Sequence, residues 1–244
     1  MAQSKSSGRK RPPGQQARAA KGTRARSEGQ LPSGRHGLSR EDVVSSQRQR
    51  LLDAMAELCA SDGYIEVSVA AVVERAKVSR ATFYQLFRDK EDCFVATMEE
   101  GLRRLMAAVM PSVYRDVEKE FPARVRGVLE ALLTYLAADQ AYSKTAMVEA
   151  LSGGERAYSR YAVGTQMLVS LLDQGRELPA VEASLPSRTA RAVLGAGELL
   201  VAGEMAAGRT AQVPDLLPDF LYIALVPYVG LQSALEFADD ARAG

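Results

Sequence analysis

From Ser39 onward the apolar positions recur at helical spacing. Leu51, Leu52, Met55, Leu58 and Cys59 form one stripe along a first helix, which Gly63 stops. Ser68 stands where an N-cap would, ahead of Val69, Val72, Val73 and Ala76, a helix of about two turns. After a break at Lys77-Val78, Ser79 can cap a third short helix. Its Phe83, Leu86 and Phe87 face inward, and Arg80, Ala81, Tyr84 and Gln85 face outward. Asp89 can cap a fourth helix striped by Phe94, Val95, Met98, Leu102, Leu105, Met106 and Val109, with Pro111 as its stop. Further amphipathic helices are expected near 112–118, 121–138, 141–150, 154–175, 187–207 and 214–238. No period-2 alternation flanked by hairpin turns occurs, so the predicted fold is all-α.

Residues 1–38 mix Gly, Ser, Pro, Gln and Arg without periodicity, a composition that cannot repay the entropy of ordering. They are expected to form a disordered basic arm. Residues 1–40 hold ten Lys and Arg against the single acid Glu28, a net +9; the whole chain sums to +1, which leaves −8 on the rest. Lys5, Arg9, Lys10, Arg11, Arg18, Lys21, Arg24, Arg26 and Arg35 suit phosphate neutralisation or a minor groove; a merely solubilising tail fits equally. The arm has no apolar core of a secretory signal. The most apolar stretch, Phe220 to Leu235, falls short of the roughly 20 residues a bilayer requires and reads as a buried helix. Cys59 and Cys93 are too few and isolated for a disulfide framework or thiolate zinc site, which fits a cytoplasmic setting.

Two short helices joined by a tight turn and flanked by longer ones match a helix-turn-helix, whose second helix enters the major groove. Val72, Val73, Ala76, Val78 and Phe83 supply the close-packed inner face; Arg80, Ala81, Thr82, Tyr84 and Gln85 supply the outer one. The segment Gly63 to Phe94, GYIEVSVAAVVERAKVSRATFYQLFRDKEDCF, resembles the DNA-binding segment of the tetracycline-repressor-type (TetR) regulators. The resemblance rests on Gly63-Tyr64, Ser68, Ala76-Lys77-Val78-Ser79, Thr82-Phe83-Tyr84-x-x-Phe87 and Lys90-Glu91. It implies that Ser68, Ser79, Tyr84 and Lys90 grip phosphates, and that Arg80 and Gln85 reach base edges. Thr82 would touch a phosphate or a thymine methyl. Lys77 stands where the family usually has Gly; a left-handed residue there costs on the order of 1 kcal/mol, unless the turn differs.

On this reading residues 39–90 are a helix-turn-helix DNA-binding domain and residues 91–244 a helical regulatory and dimerisation domain. Met106, Met110, Tyr114, Tyr135, Tyr142, Met147, Tyr158, Tyr161 and Met167 are candidates to line a small-molecule pocket, although Met and Tyr at this spacing also suit plain core. Ala192, Gly195, Ala196 and Leu199, with Phe220, Ile223, Val226 and Leu231, are candidates for a dimer interface, since the family's terminal helices pair across a twofold axis; closing the monomer core is the alternative.

No cofactor, metal site or membrane contact is expected. His36 is the single histidine and stands alone in the arm, which excludes a multi-histidine metal site and leaves Ser and Cys without a histidine partner. Leu151-Ser152-Gly153-Gly154-Glu155 imitates the ABC ATPase signature, but no phosphate-cradling loop accompanies it, so a loop between helices is expected. The expectation is therefore a homodimeric repressor, not an enzyme, released from a pseudo-palindromic operator in double-stranded DNA by a small, largely apolar effector. An accessory DNA binder without effector, or a helical small-molecule binding protein with a weak head, are the alternatives.

Overall fold

The structure, a computed structural model, describes residues 39–116, 118–179, 181 and 185–243. The basic arm, from Lys5 to Arg35, and His36 lie outside the described residues. The described residues form α1 (Arg40–Asp62), α2 (Val69–Ala76), α3 (Arg80–Leu86), α4 (Lys90–Arg115), α5 (Phe121–Ala138), α6 (Gln140–Glu149), α7 (Gly154–Asp173), α8 (Thr189–Ala206), α9 (Leu217–Val229) and α10 (Leu231–Ala243). Short 3-10 turns cover Gln174–Glu177 and Thr210–Leu216, and no strand occurs among the described residues.

Local chemistry explains the helix starts. Ser39 and Asp42 form a reciprocal capping box at α1: the Asp42 amide donates to Ser39 Oγ at 3.1 Å and the Ser39 amide to Asp42 Oδ2 at 3.0 Å. Ser68, Ser79 and Asp89 accept from amides three residues on and start α2, α3 and α4. Gly153 and Gly154 stand where α6 gives way to α7, Gly154 at φ +82°.

Two helix boundaries differ from the sequence expectation. Pro111 does not end the fourth helix; α4 runs through it to Arg115, so no separate helix begins at 112. Pro111 lies on the exposed face, and the carbonyl it leaves unpaired belongs to exposed Ala107, where water can serve it; buried Val109 and Ser112 anchor the helix on either side of it. The expected helix 214–238 is two helices, parted at Gly230 (φ +81°), while Pro227 lies within α9. Gly230 lets α10 pack on α9 through buried Ala234 and Ala238.

Two apolar cores lie along α4. The head core joins Leu51, Met55, Val72, Phe83 and Phe87 to Cys93 and Phe94, and also takes in Ala150 and Ala157. The body core contains Val109, Phe121, Leu133, Met205, Leu221, Leu225 and Tyr228. One uninterrupted helix thus contributes its first turns to one core and its later turns to the other. Its start at Lys90 is no gap between packed units.

Candidate nucleic-acid interface and ligand cavity

In the head, Val72, Ala76 and Phe83 are buried between α1, α2 and α3, and their packing turns the opposite face of α3 outward. Arg80, Ala81, Tyr84 and Gln85 are exposed on it, Tyr84 by 50%, and Thr82 is half-buried. The Tyr84 ring meets Phe83 edge-on at 5.3 Å, and the Arg80 guanidinium stands 5.8 Å from its centroid. Arg80 has no ion-pair partner among the described residues, so its donors are free for an external acceptor. Ser68 and Ser79 cap their helices, receiving the Ala71 amide at 3.2 Å and the Thr82 amide at 3.0 Å; the Ser79 and Thr82 hydroxyls lie 2.8 Å apart.

Lys77 adopts φ 53°, ψ 46°, the left-handed conformation, and ends α2 with the Val78 amide donating to the Val73 carbonyl at 3.0 Å. The turn therefore has the shape a glycine would give, with a lysine in it. Arg50, which the pattern of α1 did not single out, donates to the Ala76 and Lys77 carbonyls at 3.1 and 3.3 Å. A lone basic residue on a helix face carries no sequence signal for that role.

Lys90 stands apart from the outer face of α3. Its ammonium donates to the Tyr64 and Ile65 carbonyls at 3.0 and 3.3 Å and lies 4.3 Å from the Tyr64 ring centroid. It thereby closes the turn after α1. Cys59 and Cys93 are buried free thiols, and burial pushes Cys59 up to about 12.

In the body, helices α4 to α9 enclose an apolar cavity of about 90 Å³. One water needs roughly 10–15 Å³ on the same measure. Of the nine candidate residues, Tyr135, Tyr142, Met147 and Tyr161 line it. Met106, Met110, Tyr114, Tyr158 and Met167 are not in its wall. On α4 the lining residues are Met98, Gly101, Leu102 and Leu105, a stripe one position away from Met106. Tyr114 is 72% exposed, and Met167 packs against the body core.

The lining also includes Ser143, Thr165, Gly197, Glu198 and Phe220, which the sequence pattern did not bring together. Thr165 donates to Glu198 Oε1 at 3.1 Å, and burial followed by the Glu198 charge raises the Tyr161 phenol above its ordinary value. Burial, then Asp53, does the same for Tyr142.

The expected interface residues divide. Phe220 is buried in the body core against Gly197 and lines the cavity, so its bulk is spent inside the fold, not on a dimer face. Ala192, Gly195, Ala196 and Leu199 form an exposed stripe on α8, Leu231 is exposed, and Ile223 and Val226 are half-buried.

An exposed face of α3 on a capped, buried helix-turn-helix, joined through one long helix to further helices, defines an all-α helix-turn-helix protein. Residues 51–97 match the model of the bacterial regulatory proteins of the tetR family. A curated relative, the HTH-type transcriptional regulator HbdR of Aromatoleum sp. (strain CIB), is 26% identical over 86 residues, 35% of this chain. The match spans about a third, 32%, of that relative's length.

Solved structures share the fold. The fatty acid degradation regulator FadR of Bacillus halodurans aligns at TM-score 0.65 and 18% identity, over 76% of this chain and 96% of that one. FadR of Bacillus subtilis in complex with stearoyl-CoA aligns at 0.61 and 17%, over 75% and 98%. The TetR-family regulator PfmR of Thermus thermophilus aligns at 0.58 and 18%, over 76% and 97%. No helix among the described residues is long and apolar enough to cross a membrane, and none of their His, Cys, Asp and Glu groups is placed to hold a metal ion.

Proposed function

We propose that this chain is a cytoplasmic, sequence-specific transcriptional regulator that binds a pseudo-palindromic operator as a homodimer. It acts as a repressor released by a small, largely apolar ligand. The observation that carries this reading is the placement of α4: the head packs on its first turns, and the cavity opens against Met98, Gly101, Leu102 and Leu105 further along the same helix. A ligand that favours one shape of the cavity shifts α4, and with it the head. In a twofold dimer two heads must sit roughly 34–36 Å apart to read successive major grooves, so a small shift in spacing decides affinity.

The HbdR relative supports the regulatory role, and the stearoyl-CoA held by the Bacillus subtilis neighbour supports an effector with a large apolar part. Arg80 and Gln85 are assigned to base edges, Ser68, Ser79 and Tyr84 to phosphates, and Thr82 and Ala81 to the same groove-facing surface. Lys90 contributes by fixing the turn its ammonium closes.

The test is binding of the purified protein to DNA from its own promoter and to random DNA at about 150 mM salt, wild type beside Tyr84→Ala. A specificity ratio of about 10³ or more, lost in the variant, is expected. Equal weak binding to both DNAs, with a genome-wide selection of fragments that enriches no site, would replace this reading with a helical ligand-binding protein carrying a weak head.

A further inference from the structure

Beside the cavity lies a second, smaller one of about 30 Å³. Its wall is entirely apolar and includes Val125, Leu129, Leu171, Val193, Ile223 and Ala224. Leu132, Leu168, Leu194, Gly197 and Phe220 line both cavities, so these residues form the partition between them. The Phe220 ring reaches that position because residue 197 has no side chain: a Cβ there would stand 2.5 Å from its Cε1. An aromatic ring on a glycine can turn aside where one wedged against a larger side chain cannot.

Polar groups lie on the larger cavity alone, and most are already satisfied. The Tyr142 hydroxyl donates to Asp53, the Tyr135 hydroxyl to the Gly101 carbonyl, and the Thr165 hydroxyl to Glu198. Arg160 pairs with Glu99 at 2.8 Å. Ser143 differs: it is 2% exposed, and its hydroxyl has no partner among the described residues. Unpaired buried hydroxyls are rare and unfavourable, so a bound group that completes this one gains affinity. Glu198 on the same wall disfavours an anionic group beside it.

Taking the larger cavity as the effector site proposed above, we infer that the two cavities are compartments of one site for an extended amphiphile, with an uncharged hydrogen-bonding head at Ser143 and a flexible apolar tail that passes Phe220 into the second compartment. Phe220 and Gly197 are then the residues that set chain-length specificity. Each tail methylene that enters an apolar compartment tightens binding about fourfold, the equivalent of ~0.8 kcal/mol per buried CH₂.

The probes are 1-hexanol, 1-octanol, 1-decanol and 1-dodecanol, titrated calorimetrically into the full chain. Wild type should gain about fourfold per methylene through the longer alcohols. Ala224→Phe fills the second compartment, since Ala224 lines that cavity and not the larger one. It should bind 1-hexanol as wild type does and lose the further gain; unchanged 1-hexanol affinity also shows that the variant is folded. Ser143→Ala should weaken every alcohol by the same factor, about fivefold for one hydrogen bond. If Ala224→Phe does not fold, Phe220→Ala serves instead: removing the partition should tighten the longer alcohols selectively. Identical chain-length profiles in wild type and the folded variant would overturn the two-compartment site and leave the effector cavity standing. Failure of every alcohol to bind wild type would overturn both.

Discussion

The phenol of Tyr142 donates to Asp53 Oδ1 across 2.9 Å, which ties a wall of the cavity to the first helix of the head. The same carboxylate oxygen receives Arg104 at 2.8 Å and Gln49 at 3.0 Å, and the Arg104 guanidinium lies 4.0 Å from the Tyr142 ring centroid. Further along α6, Thr145 donates to the Ala56 carbonyl at 3.1 Å, and Glu149 accepts the Tyr64 amide at 3.0 Å. α6 therefore both lines the cavity and is fastened to α1 and the turn after it, a second link beside α4 between cavity and head.

Tyr142→Phe should cost about 0.5–1.5 kcal/mol of stability, the net worth of one hydrogen bond. Because Asp53→Ala already removes this bond, along with those from Arg104 and Gln49, the two losses should be non-additive. A double-mutant cycle in urea is expected to give a coupling of at least about 0.5 kcal/mol between the two positions. Additive losses would mean that the bond does not fasten α6 to α1.

Lys77→Gly should stabilise the head. A non-glycine residue in the left-handed region costs about 1–2 kcal/mol, and the greater freedom of glycine in the unfolded chain returns roughly 0.5–1 kcal/mol of that. The expected net gain is about 0.5–1 kcal/mol, read as a higher urea midpoint at unchanged slope. Lys77→Val should move the midpoint down, since a branched Cβ suits that conformation worse than lysine does.

Features decided within a few residues were legible in the sequence. Ser68 and Ser79 announce their helices because a capping hydroxyl acts on the amide three residues on, and Lys77 marks the turn because its geometry is local. Helix rotation is not local. On α4 the apolar positions 98, 101, 102, 105, 106, 109 and 110 make two adjacent stripes, and only packing against α5, α6 and α7 selects Leu105 over Met106 for the cavity. Phe220 was misplaced for the same reason: its inward direction depends on Gly197, 23 positions earlier, leaving room for the ring. Pro111 was read as a stop because its tolerance depends on which face of the helix meets water.

The acid limb of stability should report Glu100. Hydrogen bonds from Arg103 first, then Arg104, hold its carboxyl down at about 2 against an ordinary 4.5, with burial opposing. A carboxylate depressed in the folded state contributes its stability in full above the unfolded value. That contribution should drain away as pH falls from about 4.5 towards about 2. Glu100→Gln should be less stable than wild type at neutral pH, and the gap should close through that window. Denaturant midpoints taken at intervals from pH 6 to pH 2 measure it; a constant gap would rule the ion pairs out as its source.

The exposed stripe on α8 bears on assembly. Ala192, Gly195, Ala196 and Leu199 recur at helical spacing on one face, a Cβ added at Gly195 would meet nothing within 4 Å, and Leu199 is 75% exposed. Small residues admit a second helix closely, and a large apolar side chain beside them gives it something to bury. Because a twofold axis repeats each substitution, Leu199→Glu removes two leucines and brings two carboxylates into one interface. Losing roughly 2 kcal/mol per leucine weakens association by about 10³-fold before any charge repulsion. Light scattering across micromolar concentrations should therefore find the variant monomeric where wild type is dimeric. Its helical content should be unchanged, since Leu199 makes no part of either core. Operator affinity should fall with it, as a monomer holds a single half-site. A variant that remains dimeric would place the interface elsewhere on the body.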